Sequence, residues 1–366
     1  MVELSDDEHG APGYNNDPLL LVATCSVSYP CLERGTAIRI GSRPSKLALV
    51  QAKMIQQLLH DAIESNDSTI SQIQSEIVPI DASGDNNIPI AASQDVPLAM
   101  KGVDFVGSLD AALADGKIDV AVHSLKDIPP DNRWKNDLVI GSYSDREDPL
   151  DVLVSDRYYA LSSLPKNARV GSASVRRQAQ LLSYRPDVEV VNVRGNVQAR
   201  IAALERGDVD ALILAAAGLE RISKNEPIAM PYHQIPADDL LPGAGQGIVA
   251  AVCRTDDDEM VSLLKLIDNP SSRVAAVAER AFLDVIDTMQ HDWPGRPPVA
   301  AHMSLDTCNQ EWTFQGILLT PDGKRKIRVV HRLPRKCSSS DAFTLGTKAG
   351  HEVKEKAGNS FFADTK

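Results

Sequence analysis

The sequence predicts an α/β protein: two domains in which apolar strands alternate with amphipathic helices, followed by a small C-terminal α+β domain. The stretch "AIRIGSRPSKLALVQAKMIQQLLH" (37–60) reads as a short apolar strand, a polar turn and a helix with apolar positions three and four apart. Two later stretches, "ALADGKIDVAVHSLKD" (112–127) and "ALERGDVDALILAAAG" (203–218), share the frame Ala-Leu-x-x-Gly-x-aliphatic-Asp followed by an aliphatic run. That echo suggests two similar halves, although helix-Gly-strand junctions also recur by chance in α/β chains. Beyond "LPGAGQGIVAAVCR" (241–254) the texture changes to a long helical stretch and then to strand-like alternation.

In chain order, residues 1–36 begin "MVELSDDEHGAPGYNNDP", an acidic stretch without the basic start of a secretory signal or the Arg/Ser-rich character of a transit peptide, and are expected to be a disordered arm. Ser45 is placed to cap the first helix. "SEIVPI" (75–80) is strand-like, and "DASGDNNIPIAASQDVPLAMKG" (81–102) is a long polar loop of the kind that serves as a lid. In the paired stretches a helix ends at a capping Gly, an Asp follows the turn, and a continuous apolar run predicts a parallel strand covered on both faces. Residues 255–287 are helical by period, and "EWTFQGILLTPDGKRKIRVVH" (311–331) alternates around Pro-Asp-Gly as a β-hairpin. The expected domains are 37–142 with 240–258, then 146–236, then 262–366 with a disordered tail.

The chain has 366 residues, 43% hydrophobic and 24% charged, and a net charge of −12. This is the profile of a soluble globular protein, and the acidic balance argues against general binding to nucleic acid or an anionic membrane. Five cysteines, at 25, 31, 253, 308 and 337, show no C-x-x-C pair and no histidine at ligand spacing. They predict a reducing compartment and no metal site. No apolar run approaches the roughly 20 residues that span a bilayer. The expected location is the cytoplasm or an organelle (plastid) interior.

"VAVHSLKDIPP" (120–130) sets Asp127 at the mouth of an apolar strand. A carboxylate there is costly to desolvate unless a cation or donor meets it. "VGSASVRRQAQLL" puts Ser172, Ser174, Arg176 and Arg177 at a strand-to-helix turn, where free N–H groups favour an anion. "VRGNVQAR" adds Arg194 and Arg200, and "AAAGLERI" adds Arg221. Strand C-terminal ends face one crevice in a parallel sheet, so these arginines are expected to converge with Arg43 and Lys126 on a multiply charged anion. Each arginine alone reads as a solvated helix-face charge. "GAGQG" lacks the frame of a dinucleotide or P-loop site. His123 reads as structural.

Together, "IRIGSRPSKLALVQA", "VAVHSLKDIPP", "VGSASVRRQAQL", "VRGNVQARIAALERGDVDALILAAAGLERI", "LPGAGQGIVAAVCR" and "AERAFL" resemble, in order, the porphobilinogen deaminase (hydroxymethylbilane synthase) family, from about residue 37 to about 335. The resemblance implies two α/β domains like class II periplasmic binding proteins, a cleft between them, and a third domain. It implies a monomeric transferase of tetrapyrrole (porphyrin, heme, chlorophyll) biosynthesis that condenses four porphobilinogen molecules head to tail and releases ammonia. By the same resemblance Asp127 is catalytic, and Arg43, Ser45, Lys126, Ser172, Ser174, Arg176, Arg177, Arg194, Arg200 and Arg221 bind substrate or a dipyrromethane cofactor.

The family ties that cofactor by a thioether to a cysteine in a Gly-Gly-Cys-x-x-Pro-like stretch of the third domain. Here the region reads "AERAFLDVIDTMQHDWPGRPPVAAH", and the thiol position falls near Gly295. Cys308 and Cys253 are not placed like that anchor. The family's Phe-x-Lys-Glu-Leu-Glu reads "FVGSLDAAL", with Gly107 and Ser108 for the Lys and Glu, and Ala173 replaces a usual Ser or Thr. Retained arginines with a lost anchor fit a working deaminase that holds its primer non-covalently or through a displaced cysteine, and they fit a silent paralogue that binds pyrrole carboxylates or a pathway partner. A plain anion-binding module of the periplasmic-binding type would leave Asp127 and the third domain without a purpose.

Overall fold

The computed structural model describes residues 37–66, 74–81, 106–130, 137–224, 227–289, 296–358 and 360–363. The expected N-terminal arm, nearly all of the 81–102 loop and Gly295 lie outside the described residues.

The first sheet is built from β1 (Ile38–Ser42), β2 (Ser75–Pro79), β3 (Val120–Ser124), β4 (Leu138–Tyr143) and, from much later in the chain, β10 (Val249–Arg254), in the order β2-β1-β3-β10-β4. β1 runs parallel to β2 and β3, and β10 is antiparallel to both of its neighbours. Both faces of this sheet are covered. Val249, Ala251 and Cys253 point to the face under α1 (Lys46–Asn66), while Ala250 and Val252 point to the face under α2 (Gly107–Ala114). A strand buried on both sides has no polar face to show, which is why Val120–Val122 of β3 and Val249–Cys253 of β10 are unbroken apolar runs.

The second sheet repeats the plan. It contains β5 (Asp151–Val154), β6 (Arg169–Gly171), β7 (Glu189–Val191), β8 (Ala211–Ala215) and β9 (Tyr232–Ile235), in the order β7-β6-β8-β5-β9. Again three neighbouring strands are parallel and the fourth is antiparallel. Helices α3 (Val175–Tyr184), α4 (Val197–Glu205) and α5 (Ala216–Ser223) cover it.

The sequence echo is a shared structural device. Gly116 and Gly207 close their helices with φ of 66° and 77°, a conformation that favours glycine. Ile118 and Val209 then plug the core. The aspartate that ends each frame clamps the neighbouring strand: Asp119 accepts from Arg39 N at 2.9 Å and Arg39 Nη2 at 2.7 Å, and Asp210 accepts from Arg169 N at 2.8 Å and Arg169 Nη2 at 3.2 Å.

The third domain is an antiparallel sheet of β11 (Val299–Asp306), β12 (Glu311–Leu319) and β13 (Lys326–Pro334), in that order. The helical stretch 255–287 divides into α6 (Asp258–Lys265), which packs on the first sheet, and α7 (Pro270–Asp287). The break has a local cause, since Asn269 Oδ1 accepts from Ser272 N and Pro270 has no N–H to continue the earlier helix. After β13 the chain forms α8 (Ser339–Ala357), opened by a capping box between Ser338 and Asp341. Its Ala342, Leu345, Ala349 and Val353 are buried against α7 and the sheet. At Gly346 a Cβ would come within 2.1 Å of the Ala278 carbonyl oxygen, so glycine is what lets the two helices approach.

Asp119→Ala is expected to lower stability by about 1 to 3 kcal/mol, the range for loss of a charge-assisted bond, and Asp210→Ala by a similar amount. Urea melts of the two variants test the equivalence of the two clamps.

Candidate functional site

β3 ends in a single 3-10 turn, Leu125–Asp127, which puts Lys126 and Asp127 at the C-terminal edge of the first sheet's parallel strands. The turn is held from two sides. Leu125 N donates to Ile248 O at 3.0 Å, and Arg280 of α7 donates to Ile128 O at 3.3 Å and Pro129 O at 2.8 Å. Asp127 is half-buried. Arg43 and Ser45 lie in the turn between β1 and α1, on the same edge, and the Ser45 carbonyl accepts from Leu49 N.

The second domain presents its own strand ends. Ser174 caps α3, its Oγ accepting from Arg177 N, and Ser172 Oγ accepts from Ser174 N at 3.2 Å. Arg194 follows β7. Arg200 lies on α4 with its Nε donating to Gly195 O at 2.8 Å.

The expected arginines fall into two groups. Arg176 and Arg177 converge on Asp151, whose side chain is wholly buried: Arg176 Nη1 donates to Oδ2 at 2.7 Å and Arg177 Nε to Oδ1 at 3.0 Å. Burial alone would raise the Asp151 carboxyl, but the two guanidinium groups and Gln246 overcome it and hold the group well below the usual carboxylate range. Arg221 is likewise buried, paired with Glu147 at 3.0 Å and donating to Gly247 O at 2.6 Å. These three carry internal counter-charges.

Lys126, Arg194 and Arg200 form the second group. Burial in the crowded cleft, with Arg177 and Arg194 nearby, pushes the Arg200 guanidinium down to about 10, against the opposing pull of Asp127. Crowding by protein atoms and the charges of Arg177 and Arg176 push the Lys126 ammonium down to about 8, against Asp127 and Asp151, although the residue as a whole is exposed. Burial is the first cause of both shifts and the field of neighbouring guanidinium groups the second, with Asp127 opposing both. Such a field selects an anion with several charged oxygens.

Several residues that build the site were not singled out in the sequence. Gln246 spans the two α/β domains: its Nε2 donates to Asp151 Oδ1 at 2.9 Å and Pro149 O at 2.7 Å, while its Oε1 accepts from Lys126 Nζ at 3.3 Å. Glu279 joins all three domains. Fully buried, it accepts from Arg146 Nη1 at 2.6 Å, Gly245 N at 2.7 Å and Met303 N at 2.7 Å. Burial opposes its ionisation, yet Arg146 and His302 hold it at about 2. The available signal was a polar residue inside an apolar or Gly-rich block, "GAGQG" and "AERAFL". His123 is buried 3.5 Å from Asp110, and no cluster of metal-ligating side chains occurs among the described residues.

A family model described as "Porphobilinogen deaminase, dipyromethane cofactor binding domain" matches residues 38–262. This chain belongs to the porphobilinogen deaminase family. A protein named porphobilinogen deaminase from Syntrophomonas wolfei is 34% identical over 90% of this chain and 99% of its own length. One named "Porphobilinogen deaminase, chloroplastic" from Oryza sativa is 36% identical over 93% of this chain and 89% of its own. Among solved structures, the Bordetella pertussis BvgS periplasmic VFT2 domain overlays with a TM-score of 0.39 and 16% identity, over 65% of this chain and 89% of that one. The fold class rests on the two matching strand orders.

A dipyrromethane bears carboxylates, and the uncompensated cations Lys126, Arg194 and Arg200 fit that part of the group. Among the described residues no cysteine is placed for the thioether. Cys253 is fully buried in β10 with its thiol pushed up to about 12, chiefly by burial. Cys308 and Cys337 lie at the end of the third sheet where Asp306 pairs with Glu311 and Glu311 with Pro334. Of the family departures, Gly107 opens α2 and Ala173 sits between Ser172 and Ser174, so both changes fall at helix starts.

Glu279→Gln leaves Arg146 without its counter-ion and is expected to cost about 3 to 5 kcal/mol, the range for breaking a buried pair. Because Glu279 titrates lower folded than its ordinary 4.5, its contribution is present above pH 4.5 and disappears as pH falls toward 2. Thermal melts across that window should fall more steeply in the parent chain than in Glu279→Gln.

Proposed function

We propose that this chain is a hydroxymethylbilane synthase, joining four porphobilinogen molecules head to tail and releasing ammonia at each step. The observation that carries the reading is the placement of one carboxylate, Asp127, among a surplus of cations in a chain of this family. The acetate and propionate of each pyrrole ring supply the anions that Lys126, Arg194 and Arg200 lack.

In each step the aminomethyl C–N bond breaks and ammonia departs with a proton. The pyrrole nitrogen supplies the electrons, which leaves an electrophilic azafulvene. The free α-carbon of a second pyrrole attacks the exposed methylene, a C–C bond forms, the azafulvene nitrogen regains its proton, and the attacking ring then loses its α-proton. Positive charge gathers on pyrrole nitrogen in both halves of this sequence. Asp127, fixed at the end of a buried strand by Arg280 and Ile248, stabilises that charge without having to reorganise. The bound dipyrromethane of the family would supply the first free pyrrole α-carbon. Here Arg194 and Arg200 would hold carboxylates and Asp127 the pyrrole N–H groups.

Asp127→Asn keeps the shape and removes the charge, so it is expected to fold normally and lose turnover by at least about 100-fold. Steady-state assays with porphobilinogen test this, and near-parental rates would remove Asp127 from the mechanism. Arg200→Leu is expected to weaken carboxylate binding by about 1.5 to 3 kcal/mol, read by direct titration. Lys126 carries its charge below about 8 in the free protein, so binding should weaken as pH rises through that value. A Lys126→Met variant should lack that limb of the pH profile.

A further inference from the structure

We propose that this chain holds its pyrrole primer without a covalent bond, as a releasable polyanion gripped by Lys126, Arg194 and Arg200 beside Asp127. The inference rests on the reading of the chain as a hydroxymethylbilane synthase and concerns only how the primer is kept.

Glycine occupies position 295, where the resemblance places the thiol. The cysteines among the described residues are then excluded in turn by their surroundings. Cys253 belongs to the apolar core under α1, together with Val120, Val122 and Ile55, where no pyrrole can reach it and no thiolate forms near neutral pH. Cys308 and Cys337 are excluded by the direction of the third sheet. The end of that sheet at Ala300, Ile317 and Leu319 packs against Ala179 of α3 and Leu241, two residues from the Arg176–Arg177 pair. Gly323, in the hairpin turn at the same end, fits so closely that a Cβ would lie 2.4 Å from the Ala179 carbonyl oxygen. β11 then runs away from the arginine helix for eight residues before the turn that contains Cys308, a span of roughly 23 Å. Cys337 follows β13 at that same far end.

The cleft supplies the alternative grip. Arg176, Arg177 and Arg221 are paired with the carboxylates of Asp151 and Glu147, whereas Arg200 donates through Nε to the Gly195 carbonyl and Lys126 through Nζ to the neutral Gln246 amide, neither of them a counter-ion, and Arg194 adds its charge beside Arg200, which leaves a local surplus of positive charge. A ligand with several carboxylates neutralises this surplus. Its hold should therefore be ionic, and so sensitive to screening in a way that a thioether is not.

The test uses the full-length chain incubated with porphobilinogen and divided in two. One half is denatured and weighed by intact-protein mass spectrometry. The other is desalted under native conditions at about 10 mM and about 1 M salt, where the screening length falls from about 30 Å to about 3 Å. Retained pyrrole is then read with an aldehyde colour reagent. The proposal expects an unmodified polypeptide mass, pyrrole retained at low salt, and at least about 10-fold less retained at high salt. Arg194→Leu should lose retention at low salt, and Cys308→Ser should keep it. A mass increment on the denatured chain, mapping to any cysteine including Cys25 or Cys31, would overturn it, as would retention indifferent to salt. Product formed in the same tube separates the two readings. Product with a covalent increment sinks this inference and leaves the enzymatic reading standing, whereas neither product nor retained pyrrole sinks both.

Discussion

The arrangement of the three domains depends on one buried carboxylate, that of Glu279. It stands in α7 of the third domain, accepts two bonds from Arg146 between the first two domains, takes the N–H of Gly245 in the glycine-rich return to the first sheet, and takes the N–H of Met303 in β11. A charge with no exposure survives only when its partners fill its lone pairs, and here those partners come from three parts of the fold. One helical turn therefore fixes where the third domain sits. The next residue, Arg280, uses that position to hold the carbonyls of Ile128 and Pro129, immediately after Asp127.

The cleft shows a second division of labour, among like charges. A sheet edge that gathers seven basic side chains would repel itself, and Asp151 and Glu147 remove that problem for three of them. Lys126, Arg194 and Arg200 remain, with Asp127 among them. Gln246 connects the neutralised group to the uncompensated one, because a single amide donates to Asp151 and accepts from Lys126. The two α/β domains are thus joined through the same side chains that line the site.

Much of this was legible locally. The paired Gly-x-aliphatic-Asp frames carry their own capping, plug and clamp, so two separate segments fold alike without reference to the rest of the chain. The α8 helix is legible as well, in the Ser338–Asp341 capping box and the apolar spacing Ala342, Leu345, Ala349, Val353. The Asn269–Pro270 break in the long helical stretch was a stop signal hidden by an uninterrupted apolar period.

The sequence by itself determined the α/β class, the placement of Asp127 at a strand end, the gathering of basic residues at strand-to-helix turns, and the glycine at 295. These depend on period, capping and residue identity, which act over a few positions. Only the tertiary structure decided which of those basic residues are free to meet a ligand. Arg176 and Arg177 are satisfied by a carboxylate 25 and 26 residues away in sequence, on a strand that reads as apolar apart from that Asp151. It also decided that Cys308 lies at the wrong end of its sheet, since an antiparallel strand order fixes which turns face the cleft and no local pattern records that direction.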